Sequence, residues 1–332
     1  MIYKWNEEVW AKLAESAERL PHALLIHGPA GTGKRALAEH FARFLLCEGP
    51  PEKSGPCGRC AACRWLEAGN HPDLRWLEPE AIARLATVDE AEQEGPSTRS
   101  AKPSLEIKVE QVRALAEFLN IGSHRGRQRI ALIHPAEDMN LHAANSLLKS
   151  LEEPPSGAVF VLVSHRPARL LPTIRSRCVA VPVSLPAREG AAAWLQEKGV
   201  TDANRWLAFA GGAPLRALEY ATGPRGEAIS RLLEAIQAGG LQGGTIGERD
   251  ELDALSEVLQ KLAFDQALMA SGAEPKYATT SRRSGQAYEW LAFARTMGRN
   301  RALVRHPLNP KLFAAEMIAA MPALRRRRWI RP

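Results

Sequence analysis

No apolar run in this 332-residue chain approaches the roughly 18 residues that a bilayer-spanning helix needs. The first ten residues mix Lys4, Trp5, Glu7, Glu8 and Trp10 and contain no signal-peptide apolar stretch, so a cytoplasmic protein is expected. Also missing is a convincing set of carboxylates that could clamp two metal ions roughly 4 Å apart, the equipment of a polymerase or nuclease centre. Cysteine is scarce, five in all, and no thioredoxin-like pattern surrounds its C-x2-C pairs, which argues against a redox enzyme.

What is present points to a multi-domain globular chain. With 45% apolar residues over this length, two or three domains are expected, because single cores stop growing near about 250 to 300 residues. The net charge of +7 suits a polyanionic partner without identifying one. Arg325, Arg326, Arg327 and Arg328 cluster near the C-terminus while residues 78–94 are acidic; the basic tail reads equally as a solvated face or a phosphate contact.

Short apolar strands are expected at 23–26, 73–77, 129–133 and 159–163, alternating with helical patterns at 35–46, 109–119 and 141–151. That alternation predicts an α/β domain over 1–183, a parallel sheet with helices on both faces. Between about 80 and 104 the pattern fades into Glu, Gln, Ser, Thr, Gly and Pro, a composition expected to form a mobile insertion. Strand signals vanish after Val183. The rest reads as helices broken at Gly211 and Gly212, at Gly239 to Gly244 and around Pro307 to Pro310, giving a small helical domain (184–235) and a larger one (245–332), with helical patterns near 252–268 and 289–324.

The first strand runs into Gly28, Pro29, Ala30, Gly31, Thr32, Gly33 and Lys34, the P-loop pattern G-x-x-x-x-G-K in the strand-to-helix context it requires. Backbone N–H groups of such a loop converge on phosphate at the positive end of the helix dipole, and Lys34 adds a point charge. The next residue should offer a hydroxyl to magnesium. It is Arg35, which has donors only. The strand at 129–133 should end in acids that hold the metal, yet it runs into His134 and Pro135. Glu137 and Asp138 follow, where they read better as first-turn residues of the next helix than as replacement acids. The loop is therefore expected not to hydrolyse nucleotide, while binding of ATP or ADP stays open.

Cys47, Cys57, Cys60 and Cys63, the last three spaced C-x2-C-x2-C, suggest a structural zinc site. Four thiolates can wrap one ion at about 2.3 Å and leave no open position for catalysis. Disulfides compete with this reading, but cysteines so close in sequence are awkward partners and cytosolic thiols stay reduced.

The run Asn145, Ser146, Leu147, Leu148, Lys149, Ser150, Leu151, Glu152, Glu153, Pro154, Pro155 resembles the signature of bacterial clamp-loader subunits of the AAA+ family, as does Thr173, Ile174, Arg175, Ser176, Arg177, Cys178. The resemblance covers residues 1 to about 220, and the rest more loosely through Pro307, Leu308, Asn309, Pro310 and Lys311. It implies a P-loop NTPase-type AAA+ domain with an inserted zinc module at about 47–63, a helical lid, and a C-terminal collar for oligomerisation. It further implies a hetero-oligomeric ring with tau/gamma and delta subunits that loads a sliding clamp onto primed DNA, any polymerase activity belonging to the holoenzyme. Tau/gamma keeps an intact metal site, so the departures at Arg35, His134 and Pro135 resemble the non-hydrolysing member. In that member Arg177 would act as an arginine finger on a neighbour's ATP, with Arg175 as a substitute; an intramolecular ion pair is the structural alternative. Ser164 and Arg216 resemble the family's two sensors, with a local backbone hydrogen bond and an ordinary surface charge as their bland readings. A zinc-containing nucleic-acid-binding module and an active ATPase remain the competing functions.

Overall fold

The computed structural model describes residues 2–49, 55–87, 103–123, 128–239, 241, 246–279, 285–304, 306 and 308–322. The chain divides into two compact units, Met1–Leu185 and Pro186–Pro332. Among the described residues no helix is long and apolar enough to cross a membrane.

The first unit opens with α1 (Glu7–Ser16), then β1 (Ala23–His27), α2 (Lys34–Leu46), α3 (Ala61–Glu67), β2 (Leu74–Leu77) and α4 (Glu80–Thr87). It continues with α5 (Val109–Asn120), β3 (Arg129–Ile133), α6 (Leu141–Glu152), β4 (Ala158–Ser164), α7 (Pro172–Arg175) and β5 (Val179–Pro182). The five strands form one sheet in the order β2-β3-β4-β1-β5, and every pairing is parallel. Strands buried on both faces read as continuous apolar runs, which is why Ile130, Ala131, Leu132 and Ile133 show no exposure at all.

Successive side chains alternate between two cores. Leu24, Ile26, Ile130, Leu132 and Val161 pack on one face with Leu37 and Phe41 of α2. Leu25, Ala131, Ile133, Phe160 and Leu162 pack on the other with α5 and α6. The helical stripe of Ala144, Leu147 and Leu151 is core, as expected, with Leu148 partly buried beside it. A buried ion pair closes one corner: Arg129 Nε lies 3.4 Å from Asp73 Oδ1, the two side chains 3% and 0% exposed.

Two expectations need correction. The expected mobile insertion begins with a helix, α4, whose Ala, Ile, Leu, Glu and Arg are good helix formers behind a first-turn Glu80. Its start is also tied across the insertion, with Ala81 N–H donating to Ser104 O at 3.0 Å and Lys108 Nζ on Glu80 at 2.9 Å. The remainder, 88–102, lies outside the described residues. Secondly, a fifth strand, β5, follows the four expected from the sequence. It is a short edge strand with mostly exposed residues and so lacks the apolar signature of its neighbours.

The second unit is helical: α8 (Arg188–Glu197), α9 (Ala203–Phe209), α10 (Pro214–Thr222), α11 (Pro224–Gln237), α12 (Arg249–Ala270), α13 (Ala287–Leu303) and α14 (Pro310–Ala319). The expected break around Pro307 to Pro310 is present: α13 ends at Leu303 and α14 begins at Pro310. Leu195, Phe209, Leu233, Leu259, Trp290 and Met317 belong to one cluster, because the 22-residue α12 is apolar enough to bury side chains against both neighbouring sets of helices. The Arg325 to Arg328 tail lies outside the described residues.

Candidate functional site

The phosphate loop leaves β1 at Gly28 and enters α2 at Lys34. Gly28 has φ +151, and a Cβ there would sit 2.0 Å from the Val183 carbonyl oxygen, so this close approach of two backbones requires glycine. Gly33 has φ +85, and a Cβ on it would press into the Tyr3 ring at 2.5 Å. The N-terminal segment therefore lies directly on the loop. Trp5 Nε1 and Asn6 Nδ2 donate to the Thr32 carbonyl at 3.0 and 2.9 Å, and the Tyr3 and Trp5 rings stack at 4.9 Å. Lys34 is folded inward, 1% exposed, with Nζ donating to Pro29 O at 2.5 Å and 3.5 Å from Thr32 Oγ1. Burial pushes its ammonium down to about 8, while the Glu137 carboxylate pulls the other way.

Where a magnesium ligand would follow Lys34, Arg35 makes an internal salt bridge. Its Nε and Nη2 donate to Glu78 Oε1 and Oε2 at 3.0 and 3.4 Å, and its guanidinium lies 4.5 Å from the Trp76 ring centroid. His134, in the position of the missing acid, puts Nδ1 3.1 Å from the same Glu78 carboxylate and Nε2 3.3 Å from His165 Nε2. Burial pushes the Glu78 carboxyl up, but His134 and Arg35 outweigh it and hold it below the usual carboxylate range. Glu78 and His165 were not singled out by the sequence: an acid at the end of β2 and a histidine after β4 carry no motif.

Glu137 and Asp138 do not begin the following helix. They lie in a separate 3-10 turn, Ala136–Asp138, while Asn140 caps α6 by accepting from Ala143 N–H at 2.8 Å. The Glu137 carboxylate, 1% exposed, accepts from the His165 backbone N–H at 3.0 Å. Its oxygens are thus engaged at the end of β4, and its charge reaches Lys34.

The cysteine cluster assembles as expected. One ligand atom each from Cys47, Cys57, Cys60 and Cys63 lies within 4.8 Å of the others. Sγ separations of 4.0 Å (Cys47 to Cys60), 4.0 Å (Cys57 to Cys63) and 3.7 Å (Cys63 to Cys47) match the edge of about 3.8 Å implied by a tetrahedron of about 2.3 Å bonds. None of the four is in a disulfide. Backbone N–H groups of Cys57 and Cys63 point at Cys47 Sγ and Cys60 Sγ at 3.3 and 3.4 Å, a donor arrangement that favours thiolates. These four residues could hold a metal ion.

The remaining residues fall elsewhere. Ser164 is fully buried at the end of β4, and its Oγ accepts from Arg166 N–H at 3.2 Å, a local backbone bond. Arg175 and Arg177 lie at and just after the end of α7. Arg177 pairs with Glu152 at 2.6 Å and stays 33% exposed. Arg216, in the second unit, is not an ordinary surface charge: it donates to Glu257 at 2.8 Å and to the Tyr220 hydroxyl at 2.5 Å. Glu257, 1% exposed, also takes Arg225 at 2.7 Å, Lys261 at 2.7 Å and Arg301 at 3.4 Å. Burial pushes its carboxyl up, and the surrounding cations, Lys261 foremost, outweigh that and hold it far below the usual range. Helices α10, α11, α12 and α13 are joined at this one carboxylate, which no sequence pattern marked.

A family model described as DNA polymerase III, delta subunit, matches residues 5–186. The DNA polymerase III subunit delta' of Pseudomonas aeruginosa is 44% identical over 220 residues, covering 65% of this chain and 60% of that protein. The protein of the same name from Escherichia coli is 33% identical over 239 residues, covering 70% and 65%. The DNA polymerase III subunit tau of Escherichia coli is 28% identical over 321 residues, covering 95% of this chain and 45% of that protein. The matched part thus spans less than two thirds of the length of each of these relatives.

Proposed function

The chain belongs to the DNA polymerase III delta subunit family, and on that premise we propose that it is a delta prime subunit, a clamp-loader ring member that keeps the phosphate-loop fold but does not hydrolyse ATP itself. The observation that carries this reading is the Arg35–Glu78–His134 cluster. Magnesium at a phosphate loop needs oxygen ligands from the residue after the lysine and from the end of β3. Here those positions hold a guanidinium and an imidazole, and the Glu78 carboxylate is engaged by both of them.

In this reading the chain joins tau/gamma and delta subunits in the cytoplasm and helps place a sliding clamp on primed DNA. Residues 184–235 would serve as the lid and 245–332 as the collar. Zinc is the ion proposed for Cys47, Cys57, Cys60 and Cys63, with a structural task, since four thiolates would fill its coordination. Nucleotide can bind the loop only if Lys34 leaves Pro29 O. The chain's catalytic contribution is Arg177, delivered to the ATP of an adjoining tau/gamma subunit. A guanidinium delivered across an interface stabilises charge on the transferring phosphoryl group, an effect of about 10³ to 10⁵ in rate where measured in GTPases.

The experiment is an ATPase measurement on the isolated chain and on the reconstituted ring. The isolated chain should show no magnesium-dependent turnover, and Arg177→Ala should suppress turnover at the ring site it faces. Turnover by the chain alone that disappears in Lys34→Ala would establish the rival reading, an active tau/gamma-type ATPase. Tight, steeply salt-dependent DNA binding by the chain alone would favour a nucleic-acid-binding module.

A further inference from the structure

The proposed finger is folded back on its own chain. Arg177 Nη1 donates to the Thr173 carbonyl, four residues earlier, at 3.0 Å, and Nη2 meets Glu152 Oε1 at 2.6 Å. The terminal nitrogens are the atoms with which a guanidinium grips a phosphate in bidentate fashion. Each is engaged by one of this chain's own oxygens. Glu152 is the last residue of α6, where the free carbonyls of the helix end add negative potential to that of the carboxylate.

Resting on the finger reading above, we infer that Glu152 is a latch that holds Arg177 on its own surface until the polyphosphate of a neighbouring subunit competes for the guanidinium. The latch is built to open. Its two side chains are 33% and 50% exposed, so water and salt weaken their attraction, and such pairs bias a conformation by only about two- to five-fold. A nucleotide polyphosphate carries more negative charge than one carboxylate and offers paired oxygens to the planar fork, so it displaces Glu152 once it is within reach. A finger left unlatched would extend without that competition. Glu152 is thus a positioning residue, acting only through Arg177.

The test is a double-mutant cycle on the ATPase of the reconstituted ring, reading kcat/KM for the wild type, Glu152→Gln, Arg177→Ala and the double variant. Arg177→Ala should be slow, Glu152→Gln about two- to five-fold faster than wild type, and the double variant indistinguishable from Arg177→Ala. The melting temperature of the isolated chain should be unchanged by Glu152→Gln, because the residue is half exposed. If Glu152→Gln is no faster than wild type while Arg177→Ala remains slow, the latch is overturned and the finger stands. If Arg177→Ala turns over like wild type, the finger reading itself fails and the latch with it. A clear fall in melting temperature on Glu152→Gln would identify the pair as structural and also overturn the latch.

Discussion

Lys34 gives a quantitative test of how the phosphate loop is built, because its ammonium is buried against a carbonyl and a hydroxyl instead of an anion. Burial lowers its pKa from 10.5 to about 8, which at about 1.4 kcal/mol per tenfold corresponds to roughly 3 kcal/mol of destabilisation at neutral pH. Lys34→Met removes the charge while keeping an unbranched side chain of similar length. The Pro29 carbonyl is not orphaned by the change, since the Thr32 hydroxyl still donates to it at 3.0 Å. Losing one donor offsets about 1 kcal/mol of the gain. A net stabilisation of about 2 kcal/mol is expected, or about 4 to 8 °C in melting temperature for a unit of this size. The folded pKa lies below the unfolded one, so the penalty is fully present below about pH 8. It shrinks as pH rises from about 8 towards 10.5 and is absent above that. Thermal or urea unfolding of the wild type and Lys34→Met across this range is the assay, and the gap between the two should close over that window and reverse by about 1 kcal/mol at its upper end, where only the lost donor remains. A Lys34→Met protein that is less stable at neutral pH, or a gap that persists unchanged to pH 10.5, would refute the reasoning.

The buried Asp73–Arg129 pair should be costly to break. Asp73→Ala strands a guanidinium that is 3% exposed and is expected to lose about 3 to 5 kcal/mol in chemical denaturation, whereas Asp73→Ala with Arg129→Met should lose less. Metal analysis of the purified chain should find one zinc, and Cys57→Ser should lower both the metal content and the melting temperature. A metal-free chain with an unchanged melting temperature would remove the structural role from the cysteine cluster.

Much of the first unit was legible because its signals are local. A strand buried on both faces must be an apolar run, and Ile130 to Ile133 of β3 is such a run, preceded by the ion-paired Arg129. The cysteine spacing was likewise sufficient to bring four sulfurs together. Edge position hid β5, since Val179 and Ala180 are exposed and carry no burial pattern. The helix α4 was hidden by the polar stretch that follows it. The site was legible chiefly as a loss. Arg35, His134 and Pro135 depart visibly from the phosphate-loop pattern, but the residue that meets the first two, Glu78, is 43 positions from Arg35 and 56 from His134.

The sequence by itself determined the parallel α/β unit, the phosphate-loop pattern, the departures from it at Arg35, His134 and Pro135, and the close spacing of the cysteines, because each depends on residue type at short spacing. Only the tertiary structure decided which partners the charged side chains find. Glu78 lies between Arg35 and His134, Lys34 turns onto Pro29 O, Glu257 gathers the cations of four helices, and Glu152 holds Arg177. A charged group taken out of water must find a partner wherever the fold brings one within about 3 Å, and that partner is set by the packing of distant elements, not by the neighbouring sequence.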